Sequence, residues 1–111
     1  MENGIYHVRL LSERHSVKGE VVIRKDSVNG DVGGYLCQGF ISVEDDVLAG
    51  KILIKKWDHR APPALGLFKE ISITVTGQYD PKKQSFHFEG QANGHHVIRI
   101  QATGHLVASL I

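Results

Sequence analysis

Seven histidines are the residues of this chain with the most versatile chemistry, because an imidazole can ligate a metal ion or transfer a proton. A tetrahedral metal site needs three or four ligands that converge on one point, usually from short and fixed spacings. These histidines are scattered, and the two adjacent ones would point to opposite faces of a strand; they are His7, His15, His59, His87, His95, His96 and His105. We therefore predict no metal site and no cofactor.

A nucleophile and a set of carboxylates are the other candidates for chemistry. Cys37 is the only cysteine, so it forms no disulfide within the chain, and it lies in an apolar stretch where cysteine usually packs as a small hydrophobe. Glu44, Asp45 and Asp46 are contiguous in a predicted turn, where solvent normally keeps carboxylates ionised. We predict no catalytic residue and no enzyme activity.

The three consecutive acids, here called the acidic turn (Glu44, Asp45 and Asp46), have two interpretations. The first is a charged hairpin turn that keeps the protein in solution. The second is a binding patch, since exposed acids at the tip of a turn complement a basic partner surface. The residues themselves leave both interpretations open.

The elements that position these residues alternate between apolar and polar side chains with a period of two, which is typical of half-buried strands. Strands are predicted at 4–11, 17–25, 35–42, 47–56, 71–77, 85–91 and 97–111, the last one either continuous or broken near Gly104, with a polar turn at 26–34. Gly33 and Gly34 suit a sharp reversal, and Gly39 inside a strand indicates a bulge, a bend or a close backbone approach. The pattern predicts an all-β fold, a single closed antiparallel up-and-down barrel of about eight strands with at most one short helix, near residues 62–69.

The interior of such a barrel is either filled by side chains or holds one small ligand. The residues predicted to face it are apolar and bulky: Leu48, Ile52, Ile54, Ile73, Phe86 and Phe88. The proline-containing segment from Trp57 to Phe68 interrupts the alternation. It either plugs one barrel end with Leu65, Leu67 and Phe68 or covers a small apolar cavity as a lid.

Composition limits the partners. The 111 residues suffice for one domain, predicted to span 1–111, and 13 basic against 12 acidic residues give no basic excess for nucleic acid. No apolar run approaches the roughly 20 residues that span a bilayer, and the start of the chain is not a signal peptide, so we expect a cytoplasmic protein. Outward-facing Val22, Leu36 and Phe40 predict a homodimer interface.

Several short motifs together resemble the GrlR-like family, whose best-understood member is a negative regulator of type III secretion genes. They are Asn3-Gly4-Ile5-Tyr6, Gly19-Glu20-Val21-Val22-Ile23, Gly30-Asp31, Tyr35, Gln38-Gly39 and the acidic turn, and the similarity extends over most of the chain. The resemblance implies a lipocalin-like barrel that forms a homodimer, has no known catalysis and sequesters a transcriptional activator. It assigns activator recognition to Glu44, Asp45 and Asp46, with Val43 where the family pattern has another acid. The alternative is a lipocalin-like carrier that holds a small apolar ligand in the barrel.

Overall fold

The strands with alternating apolar and polar side chains form one closed sheet. The computed structural model describes residues 1–66, 68–92 and 95–110, with the backbone alone for residues 95–97. It contains β1 Gly4–Leu11, β2 Ser16–Arg24, β3 Ser27–Val32, β4 Tyr35–Glu44, β5 Val47–Lys56, β6 Glu70–Asp80, β7 Ser85–Ala92 and β8 His95–Ser109. Each strand pairs antiparallel with the next, and β8 pairs with β1, so the sheet has no free edge. The predicted eight-stranded up-and-down barrel is confirmed.

One local prediction was wrong: residues 26–34, expected to form a polar turn, contain strand β3. Val28 and Val32 point into the core, whereas Asn29 and Asp31 face solvent. Only two apolar side chains mark this strand, so its composition is that of a loop, and its pairing with β2 and β4 makes it a strand. The reversals are tighter than expected: the φ angles are 48° and 68° at Lys25 and Asp26, and 61° and 97° at Gly33 and Gly34.

Gly39 lies where β4 and β5 approach closely. A Cβ atom at this position would come within 2.8 Å of the Cα of Ile52, closer than real Cβ contacts. The glycine therefore allows the close backbone approach of the two strands, one of the options that its place in an apolar strand predicted. The final strand is continuous through Gly104, since Gly104 pairs with Phe86 of β7 on one side and with Val8 of β1 on the other.

Along each strand, every second side chain points into the barrel interior and the side chains between them face outward. Val21, Ile23 and Cys37 are buried, whereas Val22 is 40% and Phe40 69% exposed, which is the placement that the alternation predicted. The residues that connect β5 to β6, here called the connecting segment (57–69), form no helix in the part that the structure describes. Gly66 N bonds Pro63 O at 3.0 Å and Phe68 N bonds Leu65 O at 3.2 Å, which makes isolated turns.

The antiparallel order gives the barrel two chemically distinct ends. At the cap end lie residues 12–15, the Gly33–Gly34 turn and the connecting segment. At the hairpin end lie the Lys25–Asp26 turn, the acidic turn, residues 81–84 and both termini. Glu2 joins the termini there: its carboxylate accepts hydrogen bonds from Ser109 Oγ (2.8 Å) and from the side chain of Gln84. The acidic turn and the connecting segment are therefore on opposite ends.

Candidate functional site

The acidic turn is a two-residue hairpin turn with an unusual backbone. Glu44 pairs with Val47, which leaves Asp45 and Asp46 as the two turn residues, with φ of 51° and 65°. Two successive positive φ angles are the signature of a type I′ turn, whose twist matches that of the flanking strands. Aspartate adopts this left-handed conformation more readily than most residues. The turn thus holds both aspartates in a defined position beyond the barrel rim.

The carboxylates of the acidic turn point to solvent. Among the described residues, no hydrogen bond or ion pair involves the side chain of Glu44, Asp45 or Asp46, and all three are exposed. The backbone is anchored, because the Asp46 carbonyl accepts a 2.9 Å hydrogen bond from the Tyr79 amide. A cationic group of a partner can therefore approach the three carboxylates without first displacing a cation of this chain.

The interior of the barrel is filled. The six residues predicted to line a ligand cavity are all buried in the core: Leu48, Ile52, Ile54, Ile73, Phe86 and Phe88. The rings of Phe86 and Phe88 stack with centroids 5.8 Å apart, and Tyr6 packs 5.8 Å from Phe86 on the other side. The residual cavity among the described core side chains is about 20 Å³, roughly the room that one water molecule needs. This volume does not favour an apolar ligand inside the barrel, since ligand pockets start at about 300 Å³.

The connecting segment is fixed across the cap end by one phenol. Tyr35 Oη donates a 2.6 Å hydrogen bond to the Pro62 carbonyl and accepts one of 2.9 Å from the Ala64 amide. Leu65 is only 2% exposed and joins the core, as expected of a plug, whereas Phe68 is 38% exposed. Leu67, the third residue predicted to plug the end, lies outside the described residues.

Comparison with known proteins gives the family. A family model described as the type III secretion system (T3SS) negative regulator GrlR matches residues 1–110. The chain belongs to the GrlR family. A search of curated proteins found no match. The resemblance that the sequence motifs indicated is thereby confirmed over almost the whole chain.

In this GrlR-family protein the side chains considered for catalysis or metal binding are dispersed. The rings of His7 and His105 lie 5.5 Å apart on the outer face, with His7 Nδ1 3.0 Å from Glu20. Among the residues with described side chains, which exclude His95 and His96, no three histidine, cysteine or acidic groups are placed to hold a metal ion. Burial raises the pKa of the Cys37 thiol to about 12, with a smaller contribution from Asp31, so it is a protonated core side chain.

Residues important to the GrlR-family barrel were also missed by sequence reasoning. Trp57 Nε1 donates a 2.8 Å hydrogen bond to Asp31 Oδ1, and the same oxygen accepts the Gly34 amide at 3.0 Å. The contact of Trp57 with Asp31 joins residues 26 positions apart, so no local pattern indicates it. The described residues contain no helix long and apolar enough to cross a membrane. The structure does not bring the acidic turn together with the six predicted interior residues, because the turn lies outside the barrel and those residues lie inside it.

Proposed function

We propose that this protein is a non-catalytic cytoplasmic regulator that sequesters a transcriptional activator, and that the acidic turn contacts the activator. The observation that carries the proposal is the position of three exposed carboxylates, without internal partners, in a chain that belongs to a family of T3SS negative regulators. The resemblance assigns activator recognition to the same residues. Regulation by capture needs a surface that another protein can recognise, and the acidic turn supplies one.

The chemistry of the turn defines the kind of partner. Three negative charges on an anchored backbone form a compact anionic patch, which attracts a surface rich in lysine and arginine and steers its approach. Because the turn backbone is already ordered, binding does not have to order it. We therefore infer a basic segment of the activator as the occupant, with an association rate that falls as salt is added.

We also propose that the protein acts as a homodimer. Val22 on β2 and Phe40 on β4 are large apolar side chains on the outer face, 40% and 69% exposed, and the half-buried Leu36 is on the same face of β4 as Phe40. Exposed apolar residues on the outer faces of β2 and β4, on either side of β3, favour a face that a partner covers, and two-fold dimers are the commonest way to cover one. The acidic turn lies at the end of β4, so a dimer through the strand faces leaves it accessible.

The decisive experiment removes the charges without changing the turn. Glu44→Gln/Asp45→Asn/Asp46→Gly keeps residue types that favour two positive φ angles, because Asn-Gly is a preferred type I′ pair. The control is Lys25→Asn/Asp26→Gly, which makes the same replacement in another turn of the hairpin end with two successive positive φ angles and leaves the net charge unchanged. Each variant is expressed in the native cell, and captured DNA-binding proteins are identified together with transcription from T3SS promoters.

The wild type and the control variant should capture an activator and lower transcription, and the charge-removal variant should do neither. Added salt should weaken capture by the wild type. Capture of the same activator by the charge-removal variant would disprove the role of the acidic turn. Unchanged T3SS transcription on deletion and on overexpression of the wild type would disprove the regulatory function.

A further inference from the structure

A groove of about 620 Å³ opens at the cap end, between residues 12–15 and the connecting segment. It is separate from the filled interior and lies at the opposite end from the acidic turn. Its volume falls in the range of sites that bind small molecules, roughly 300–1,000 Å³. Tyr35 holds one wall of the groove in place, because its hydroxyl bonds Pro62 and Ala64 of the connecting segment.

The wall of the groove is mainly apolar. Leu65, Phe68 and Ile98 line it together with Pro63 and Ala64 of the connecting segment. Phe68 is 38% exposed, whereas Leu65 is anchored in the core, so the wall is solvent-facing at one side and fixed at the other. A hydrocarbon chain laid against these side chains would remove apolar surface of both partners from water.

Two arginines place positive charge on the same groove. Arg14 comes from the β1–β2 turn and Arg99 from the start of β8, and both are exposed. The pairing of Leu11 with Gln101 in the closed barrel brings these two distant parts of the chain together. Glu13 also lines the groove, so Glu13, Arg14 and Arg99 together carry a net charge of +1. This balance complements a single anionic group better than a multiply charged phosphate.

We propose that the groove binds a single-chain amphiphile with a carboxylate head, such as a medium-chain fatty acid. The head group contacts Arg14 and Arg99, and the chain lies along Leu65, Phe68 and Ile98. The arginine forks suit a carboxylate, whose two oxygens can accept paired hydrogen bonds. The site differs from that of a lipocalin-like carrier, because the ligand lies at the barrel end and not in the barrel. The proposal stands independently of activator capture by the acidic turn.

Decanoate is the probe, used with the full-length protein below the concentration at which it forms micelles. Decanol has the same chain without the charge, and acetate has the charge without the chain. Binding is followed by backbone amide shifts in nuclear magnetic resonance titrations. We expect decanoate to shift the amides of residues 12–15 and 64–66, decanol to bind about tenfold more weakly, and acetate to cause no saturable shift.

Two variants separate the head site from the chain site. Arg14→Gln/Arg99→Gln should lower decanoate affinity to that of decanol and remove its salt dependence, while decanol binding stays unchanged. Phe68→Ser should weaken both probes by a similar factor. Arg24→Gln, an exposed arginine at the hairpin end, is the matched control and should bind decanoate as the wild type does. The charge-removal variant of the acidic turn should also bind it normally.

Equal affinities for decanoate and decanol, or no binding of either, would overturn the proposal. So would decanoate affinity that the double arginine variant leaves unchanged. Shifts centred on the interior residues 48–54 and 86–88 would place the ligand in the barrel and also refute the groove site. A urea titration of each variant shows that it is folded, so that loss of binding reports the groove itself.

Discussion

The hydroxyl of Tyr35 lies 2.6 Å from the carbonyl oxygen of Pro62, a residue 27 positions later in the chain. Through this bond and the one from the Ala64 amide, a buried strand residue fixes the connecting segment over the barrel end. The position of the segment in turn shapes the groove. One phenol thus links the core to the surface that we propose as a ligand site.

Replacing Tyr35 by Phe should lower the free energy of unfolding by about 0.5–1.5 kcal/mol, because the Pro62 carbonyl and the Ala64 amide each lose the phenol and keep only the 2.8 Å hydrogen bond between them. Urea unfolding measures the loss, and amide hydrogen exchange should become faster at residues 64–66. The control is Tyr6→Phe, which removes a hydroxyl bond to the Glu2 carbonyl at the hairpin end. If amide exchange at residues 64–66 stays as slow as in the wild type, the phenol does not hold the segment.

The backbone of the acidic turn changes what an alanine scan would report. Exposure alone predicts a small effect, but alanine at Asp45 and Asp46 would have to adopt φ of 51° and 65°. The left-handed conformation costs about 1–2 kcal/mol per residue, so the Asp45→Ala/Asp46→Ala variant should be clearly destabilised. Asp45→Asn/Asp46→Gly should be at least as stable as the wild type. Equal urea midpoints for both variants would show that the turn relaxes to another conformation.

Cys37 should make stability fall between about pH 9 and pH 12. Burial keeps the native thiol protonated up to a pKa of about 12, whereas the unfolded chain releases the proton near its ordinary pKa. The native state then binds more protons, so the free energy of unfolding decreases with pH by at most about 1.4 kcal/mol per unit. Comparison with Cys37→Ala isolates this slope, since other titrating groups are common to both proteins. An identical pH slope in the variant would contradict the assignment.

Phe40→Glu should dissociate the proposed homodimer without unfolding the barrel. Phe40 pairs with Lys51 on β5, so a glutamate there meets a lysine on the neighbouring strand. The control is Thr103→Glu, an exposed position on the opposite side of the barrel that pairs with Arg9. Sedimentation velocity should show a dimer for the wild type and the control, and a monomer for Phe40→Glu. A wild type that is monomeric at high micromolar concentration would refute the dimer.

Much of the fold could be predicted because it is encoded locally. Period-two alternation assigns Val21 and Ile23 to the inside and Val22 to the outside, and a continuous series of hairpins favours a closed meander. Strand β3 escaped detection because Val28 and Val32 were its only apolar side chains, and its partners supply the rest of its stability. The acidic turn could be predicted because its three acids are adjacent in the sequence.

The sequence by itself determined the antiparallel barrel, the family and the position of the exposed acids, because alternation and turn residues act over a few positions. Only the tertiary structure decided how the interior is filled and which residues lie together at each end. The volume left among the core side chains depends on how Phe86, Phe88 and Tyr6 pack against one another, and periodicity carries no information on volume. The placement of Arg14 and Arg99 on one groove depends on the register in which the last strand closes on the first, a long-range pairing set by packing of the whole core.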